Sequence, residues 1–476
     1  MTYTHEHLST YGHWIDGKTV PGQGGTNDVI NPATGETVAA VPAGTAADVD
    51  RAVASARAAL PGWAAVEPSD RAALLRRLAE ELTTRNEDIA QAITAEMGAP
   101  IALSRLGQAG FPALVTSATA ELESDVAWTE KVGNSVLVRE PVGVVGAITP
   151  WNFPLQQVMT KVAPALLAGN TIVLKPAELA PLSTRFLAEA VAAAGIPAGV
   201  FNVVYGSGSV VGEALVAHPD VDMISFTGST QAGRRISTVA ANTIKRVGLE
   251  LGGKSANIVL DDADIDSAVQ QTLVNSWTNA GQACGAWTRL LVPARRQAEI
   301  VQKLKAAAEQ YSVGDPTDES VRVGPLASEG QWERVNSYIE RGIADGATLV
   351  TGGPGRIPGL EHGAYIRPTI FADVDPNSVI AQEEIFGPVL SVIAYEDEDE
   401  AVSIANGTVY GLTGAVFGTQ DHALSIARRM EVGQVYINGA DFNPLAPFGG
   451  YKQSGTGREL GRAGVEEFTE VKAIQL

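Results

Sequence analysis

The chain contains a single thiol, Cys284, at the end of Gly281-Gln282-Ala283-Cys284. A thiolate is the strongest nucleophile a protein side chain supplies near neutral pH, and it forms where a base or a positive field draws off its proton. A lone cysteine is otherwise a small buried hydrophobe, so its chemistry depends on its surroundings. Three segments could supply them. Pro150-Trp151-Asn152-Phe153-Pro154 stands where a buried strand gives way to a helix; Asn152 there either caps the helix or offers an amide N–H to a developing oxyanion. Phe226-Thr227-Gly228-Ser229-Thr230 repeats the passage from strand end to helix, a natural seat for phosphate. Glu250-Leu251-Gly252-Gly253-Lys254 carries a carboxylate that is either solvated beside a Gly-rich turn or a general base. A Cys–His hydrolase would need a partnering histidine. Beyond the N-terminal segment only His218, His362 and His422 remain, none in a recognisable motif, which favours Cys–Glu chemistry.

These segments need a scaffold that brings strand ends together. From residue 142 to about 251, short β-branched runs (142–148, 171–174, 200–204, 222–226) alternate with helical patterns (154–168, 181–194). The runs show little polar alternation, as expected of strands covered on both faces. Each helix opens on Pro and closes on Gly169 or Gly195. Repeated βα units predict an α/β fold with a doubly wound parallel sheet and ligands at the carboxyl ends of its strands. A second alternation from 255 to about 435 predicts another α/β lobe. Residues 46–59 and 70–98 read as amphipathic helices, and 126–140 as a β-hairpin that could be an arm. The acidic run 396–400 is expected to cap a helix near Ala401. His5, Glu6, His7 and His13 could hold a metal, but a mobile tail is the expectation, and no metal is assigned.

Composition narrows the partners. At 476 residues the chain is too long for one compact core and should divide into lobes. A net charge of −20 disfavours nucleic acid or an anionic membrane surface. One cysteine excludes an internal disulfide, and residues 1–16 show no secretory signal. The uncharged stretches 142–160 and 190–212 are broken by prolines, glycines and amides, so no membrane span is expected. A cytoplasmic location follows as the expectation.

Together the four segments, with Glu383-Glu384-Ile385-Phe386-Gly387-Pro388 and Pro447-Phe448-Gly449-Gly450-Tyr451-Lys452, resemble the NAD(P)-dependent aldehyde dehydrogenase superfamily, in the family's order, from about residue 30 to 471. The resemblance implies oxidation of an aldehyde to a carboxylic acid through a thiohemiacetal and a thioester on Cys284. The Asn152 amide and the Cys284 backbone N–H would hold the oxyanion, Glu250 would activate water, and Lys161 and Glu459 would assist proton transfer. It also implies a cofactor site formed by Ile148, Pro150, Trp151, Lys175, Glu178, Gly208, Gly228, Ser229, Leu251, Glu384 and Phe386. Gly206-Ser207-Gly208 followed by Gly212 is not a regular dinucleotide fingerprint. Lys175 and Glu178 would contact the adenosine ribose, and a carboxylate there should repel a 2′-phosphate, so NAD is favoured with NADP possible. Phe153, Gln157, Thr160 and Gly285 would line the aldehyde pocket, where Gln157 and Thr160 hint at a polar or small substrate. Trp287 departs from the family, which usually has Gly two residues before the Arg that is here Arg289.

The implied architecture is a cofactor-binding domain (1–122 and 142–252), a catalytic domain (253–452) and a small β oligomerisation arm with the C-terminal segment (123–141 and 453–476). In that reading the hairpin and residues 467–476 pair with a neighbouring subunit in a dimer or tetramer. Two rivals are a coenzyme A-acylating relative, which would not need Glu250, and a catalytically silent protein on the same scaffold, which would not need Cys284, Glu250 and Asn152 together.

Overall fold

In the computed structural model, which describes residues 11–476, two large sheets dominate. The eight-stranded sheet has at its centre the parallel strands Phe201–Val203, Thr171–Lys175, Val144–Ile148, Met223–Thr227 and Arg246–Glu250, in that spatial order. Val144–Ile148, Thr171–Lys175 and Met223–Thr227 are buried along their whole length, which explains their lack of polar alternation. The chain winds one way from Val144–Ile148 and the other way from Met223–Thr227. Where the winding reverses, helices leave in opposite directions and open a crevice at the strands' carboxyl ends. Residues 149–152 and 227–229 stand on its two sides.

The seven-stranded sheet runs Thr348–Thr351, Thr369–Ala372, Val389–Tyr395, Arg289–Pro293, Ala256–Val259, Thr413–Phe417 and Gln434–Ile437, parallel except for its first pair. Each large sheet has apolar clusters of its own. Cys284 lies in the connection from helix Ile265–Trp277 to strand Arg289–Pro293, so the second sheet carries it to the crevice of the first.

Several elements differ from the sequence expectation. The helix expected over 70–98 is two, Pro68–Thr84 and Asn86–Met97, broken at Arg85 (φ −96°, ψ 9°). Thr83, Thr84 and Asn86 are poor helix formers, and both threonine hydroxyls donate back to carbonyls four residues earlier. The helix expected over 46–59 continues to Ala64 with Pro61 in its last turns. His13 is not part of a tail. It is buried in strand His13–Ile15, which lies between Lys18–Val20 and Phe201–Val203, accepts a 3.2 Å hydrogen bond from Tyr205 N–H on Nδ1, and lies 3.6 Å from Asp48. His5, Glu6 and His7 lie outside the described residues, and no metal-holding group of His, Cys, Asp or Glu occurs among the described ones.

The expected hairpin forms from Thr129–Val132 and Ser135–Pro141, and Thr469–Gln475 pairs with its second strand from Thr469↔Pro141 to Gln475↔Ser135. The two segments expected to reach a neighbouring subunit therefore pair with each other. Gly455–Thr456, just before them, closes the edge of the large sheet against Leu249 and Glu250. The acidic run does start a helix: Asp397 accepts from the Glu400 N–H at the head of Glu398–Asn406.

Candidate active site

A cavity of ≈ 280 Å³ at the crevice is lined by Pro150, Trp151, Asn152, Gly228, Ser229, Leu251, Cys284, Glu384 and Phe386, all singled out from the sequence. Four others line it too: Thr227, Gly252, Gln331 and Arg334. Thr227 and Gly252 belong to the Phe226–Thr230 and Glu250–Lys254 segments. Gln331 and Arg334 sit one turn apart on helix Glu329–Ala344, which carries none of the six sequence motifs. Their hydrogen bonds explain their presence: Gln331 Nε2 donates to the Phe386 carbonyl (2.7 Å) and Arg334 to the Glu384 carbonyl (2.7 Å). They hold Phe386 in a left-handed conformation, φ 64°, which a bulky residue rarely adopts unaided. Its ring then meets Trp151 edge-on at 5.3 Å.

A second cavity, ≈ 240 Å³, lies farther along the strand ends between Ile148, Gly208, Phe226 and Ile236. Ser229 caps helix Thr230–Ala240, accepting from Ala232 N–H, so the helix N-terminus faces the space beside Gly228. Glu178 accepts a 2.7 Å hydrogen bond from Gly208 N–H and stands 4.0 Å from Lys175. An apolar slot, a helix N-terminus and the Glu178 carboxylate thus stand at neighbouring strand ends, beside the cavity that Cys284 lines.

Asn152 is no helix cap. Helix Pro154–Leu167 begins after Phe153 with Pro at its first position and no side-chain cap. The buried Asn152 amide instead donates to the Gln282 carbonyl (2.9 Å), next to the cysteine turn. Burial and the carboxylates of Glu384, Glu250 and Glu459 push the Cys284 thiol up to about 12, opposed only by a hydrogen bond from Gly285 N–H. The resting sulfur is therefore a thiol, and it needs a base.

Glu250 ends strand Arg246–Glu250, paired in register with Thr227 and antiparallel to Gly455. It is 5% exposed, and neither carboxylate oxygen has a hydrogen-bond partner. Burial raises its pKa well above the usual carboxylate range; Glu459 adds to this, and Lys161 and Arg458 oppose it. Lys161, from the helix that follows Asn152, donates to Thr227 Oγ1 (2.7 Å) and is ion-paired with Glu459. A cavity of ≈ 10 Å³ between Glu250, Glu459 and Glu467 is about the size of one water. Glu384 accepts from Gly253 N–H (3.0 Å), and burial raises its pKa to about 7.

The remaining sequence candidates stand outside both cavities. Phe153 is half-buried, Gln157 is buried, and the Thr160 hydroxyl donates to the Gln157 carbonyl (3.1 Å). Gly285 gives its N–H to the Cys284 sulfur and its carbonyl to Thr413 (2.9 Å). Trp287 is 2% exposed and packs against Phe417 and Tyr436, filling volume that a glycine would leave empty.

The family model described as "Aldehyde dehydrogenase family" matches residues 19–474. A 3-succinoylsemialdehyde-pyridine dehydrogenase from a Pseudomonas species is 48% identical over 466 residues, covering 97% of each chain. Among solved structures, a cysteine-to-alanine mutant of aldehyde dehydrogenase C from Pseudomonas syringae, in complex with NAD+ and octanal, is 49% identical with a TM-score of 0.97. The match covers 99% of this chain and 97% of that one. A Mycobacterium tuberculosis aldehyde dehydrogenase complexed with NAD+ is 44% identical, with a TM-score of 0.96 and coverage of 98% and 99%.

Proposed function

Because this chain belongs to the aldehyde dehydrogenase family, we propose that it oxidises an aldehyde to a carboxylic acid with NAD, through a thioester on Cys284. The observation that carries this reading is the shared wall. Cys284, Asn152, Glu384 and Phe386 face one cavity, and an unpartnered buried carboxylate, Glu250, acts on the thiol from behind.

The residues fit the dinucleotide at both ends. Ile148, Gly208 and Phe226 form an apolar slot for a base, Lys175 and Glu178 read a ribose, and the N-terminus of helix Thr230–Ala240, capped by Ser229, faces a pyrophosphate. Bound NAD supplies a hydride acceptor. The chain does the rest. The thiol proton passes to solvent water, and Glu250, whose pKa burial raises, is kept as the base for the hydrolytic step. The Cys284 sulfur then bonds to the aldehyde carbon, and the new oxyanion takes hydrogen bonds from the Asn152 amide and the Cys284 N–H. Loss of hydride leaves the thioester. Glu250 removes a proton from water, whose oxygen attacks the thioester carbon, and the carboxylic acid leaves as the thiol is restored. Lys161 and Glu459 form a buried path for the proton away from Glu250.

The aldehyde is apolar in this reading. Phe111 and Phe442 pack 5.4 Å apart, Phe442 and Phe448 6.4 Å, and exposed Leu114 and Leu445 flank them. Gln108, on the turn before Phe111, touches the Asn152 carbonyl, which joins this apolar patch to the site. The octanal bound by the Pseudomonas syringae relative supports the same choice. Gln157 and Thr160 suggested the reverse, but the Thr160 hydroxyl is taken up within its own helix.

In this reading 1–122 and 142–252 bind the cofactor, 253–452 is catalytic, and 123–141 with 453–476 form the arm and tail, although Gly455–Thr456 of that tail joins the large sheet. Exposed Val132, Val471, Ile474 and Leu476 on that arm favour self-association to a dimer or tetramer, which light scattering would measure. No helix among the described residues is long and apolar enough to cross a membrane, and we place the protein in the cytoplasm. The decisive assay is NADH production from octanal, a short aldehyde and a semialdehyde, each with and without coenzyme A. NADH with free acid from octanal supports the proposal; acyl-coenzyme A or no NADH would return the two rivals.

A further inference from the structure

The chain enters the cysteine turn through three successive left-handed residues: Asn279 (φ 57°, ψ 35°), Ala280 (φ 54°, ψ 34°) and Gly281 (φ 72°). Left-handed backbone is disfavoured for residues with a Cβ, and asparagine tolerates it better than most. Two such residues in a row persist only where surrounding contacts impose them. Here the contacts are explicit. A Cβ on Gly281 would strike the backbone of Gly387, and Gln282 Nε2 loops back to the Asn279 carbonyl (3.0 Å). Gln282 Oε1 is itself fixed by Ala327 N–H (2.9 Å).

The turn aims one group. Asn279 Nδ2 donates to the Asn152 carbonyl (2.8 Å) and to the Gln282 carbonyl (3.3 Å), the latter also accepting from the Asn152 amide. Asn279 thus bridges Asn152, in the segment that follows strand Val144–Ile148, to the turn that carries Cys284. A second donor, Gln108 Nε2, reaches the same Asn152 carbonyl at 2.9 Å from the π-helical turn Ser104–Gly110. All four side chains are 3% exposed or less.

From this geometry we infer that Asn279 is a positioning residue: it sets the separation between the oxyanion donor on Asn152 and the sulfur of Cys284. The inference rests on the proposed thioester chemistry and adds to it a residue that touches neither substrate nor cofactor. Gln108 supports the same carbonyl from the opposite side.

The test is Asn279→Gly. Glycine takes up left-handed backbone without steric penalty, so the turn survives while the amide is lost. Single-turnover NADH formation should slow by roughly 10- to 100-fold, the scale of a small misplacement of reacting groups. The KM for NAD should stay within about twofold, because uniform cofactor binding is untouched. In an Asn152→Ala background the same substitution should add almost nothing, since coupled residues are not additive. Gln108→Met leaves the turn alone and removes the other donor; it should slow the step by roughly fivefold, again only when Asn152 is present. It carries the test if the glycine variant fails to fold. A wild-type rate in Asn279→Gly, or an equal loss in both backgrounds, would overturn the inference. If Asn152→Ala alone left the rate unchanged, the oxyanion assignment itself would fail, which separates the two claims.

Discussion

Glu178 accepts a hydrogen bond from the Gly208 N–H at 2.7 Å, which fixes a carboxylate at the mouth of the apolar slot beside Ile148. In NADP a 2′-phosphate would bring up to two negative charges to that spot. Two like charges at about 4 Å repel by ~1 kcal/mol in water and several-fold more where water is partly excluded. Lys175, at 4.0 Å from Glu178, offsets part of this. Preference for NAD, not exclusion of NADP, is expected. Glu178→Thr should narrow the gap in kcat/KM, mostly by improving NADP. A wild-type enzyme that prefers NADP would contradict the argument.

Cys284→Ala should abolish turnover, since no other thiol exists among the 476 residues. Activity within about tenfold of wild type would remove the thioester mechanism.

The thiol's own ionisation can be followed without substrate. A pKa raised to about 12 leaves thiolate scarce at neutral pH. Alkylation by iodoacetamide should therefore accelerate about tenfold per pH unit into the alkaline range. A plateau near about pH 8 would mean a preformed thiolate and a field the carboxylates do not account for.

Glu250→Gln should leave hydride transfer measurable and stall thioester hydrolysis, giving a burst of NADH near one per active site and then slow turnover. The pH dependence carries a definite sign. Glu250 works as a base only when ionised, and burial raises its folded pKa above the ordinary value of about 4.3. Activity is thus present above that raised pKa and lost as pH falls through it. The acid limb of kcat should lie well above about pH 4.3 in wild type and be absent from the residual deacylation of the Gln variant. No burst and no acyl-enzyme would place Glu250 earlier, in activating the thiol.

Asn152→Ala should lower kcat roughly 10²- to 10³-fold, the usual loss for one oxyanion donor, with NAD affinity little changed. An unchanged rate would reduce Asn152 to a scaffold residue.

The buried strands and the glycine-closed helices around the crevice were legible because their covering on both faces is written in unbroken β-branched runs. Sequence left Asn152 open between cap and donor. The structure separates the two through Phe153, which takes the cap position without a side-chain bond. Glu250 read as a possibly solvated residue because pairing with Gly455, more than 200 residues later, is what buries it. Gln331 and Arg334 were invisible for a related reason: they act on backbone carbonyls, and a carbonyl has no letter in the sequence. His13 looked like tail because a three-residue strand carries almost no periodic signal, and its pairing with Lys18–Val20 and Val203 appears only in the fold. Trp287 broke the family pattern, and its place against Phe417 and Tyr436 shows a core repaired around a larger side chain.

The solitary, half-buried Cys284 also decides how this protein meets oxidants. A sulfenic acid formed there has no second thiol within the subunit to condense with, so it cannot be parked as an internal disulfide. Short of a sulfenamide with a backbone nitrogen, recovery needs an external thiol small enough to enter the cavity that Cys284 lines, and further oxidation is irreversible. The same isolation makes one molecule of a thiol-reactive dye per chain a direct count of working sites, with no background from the rest of the protein.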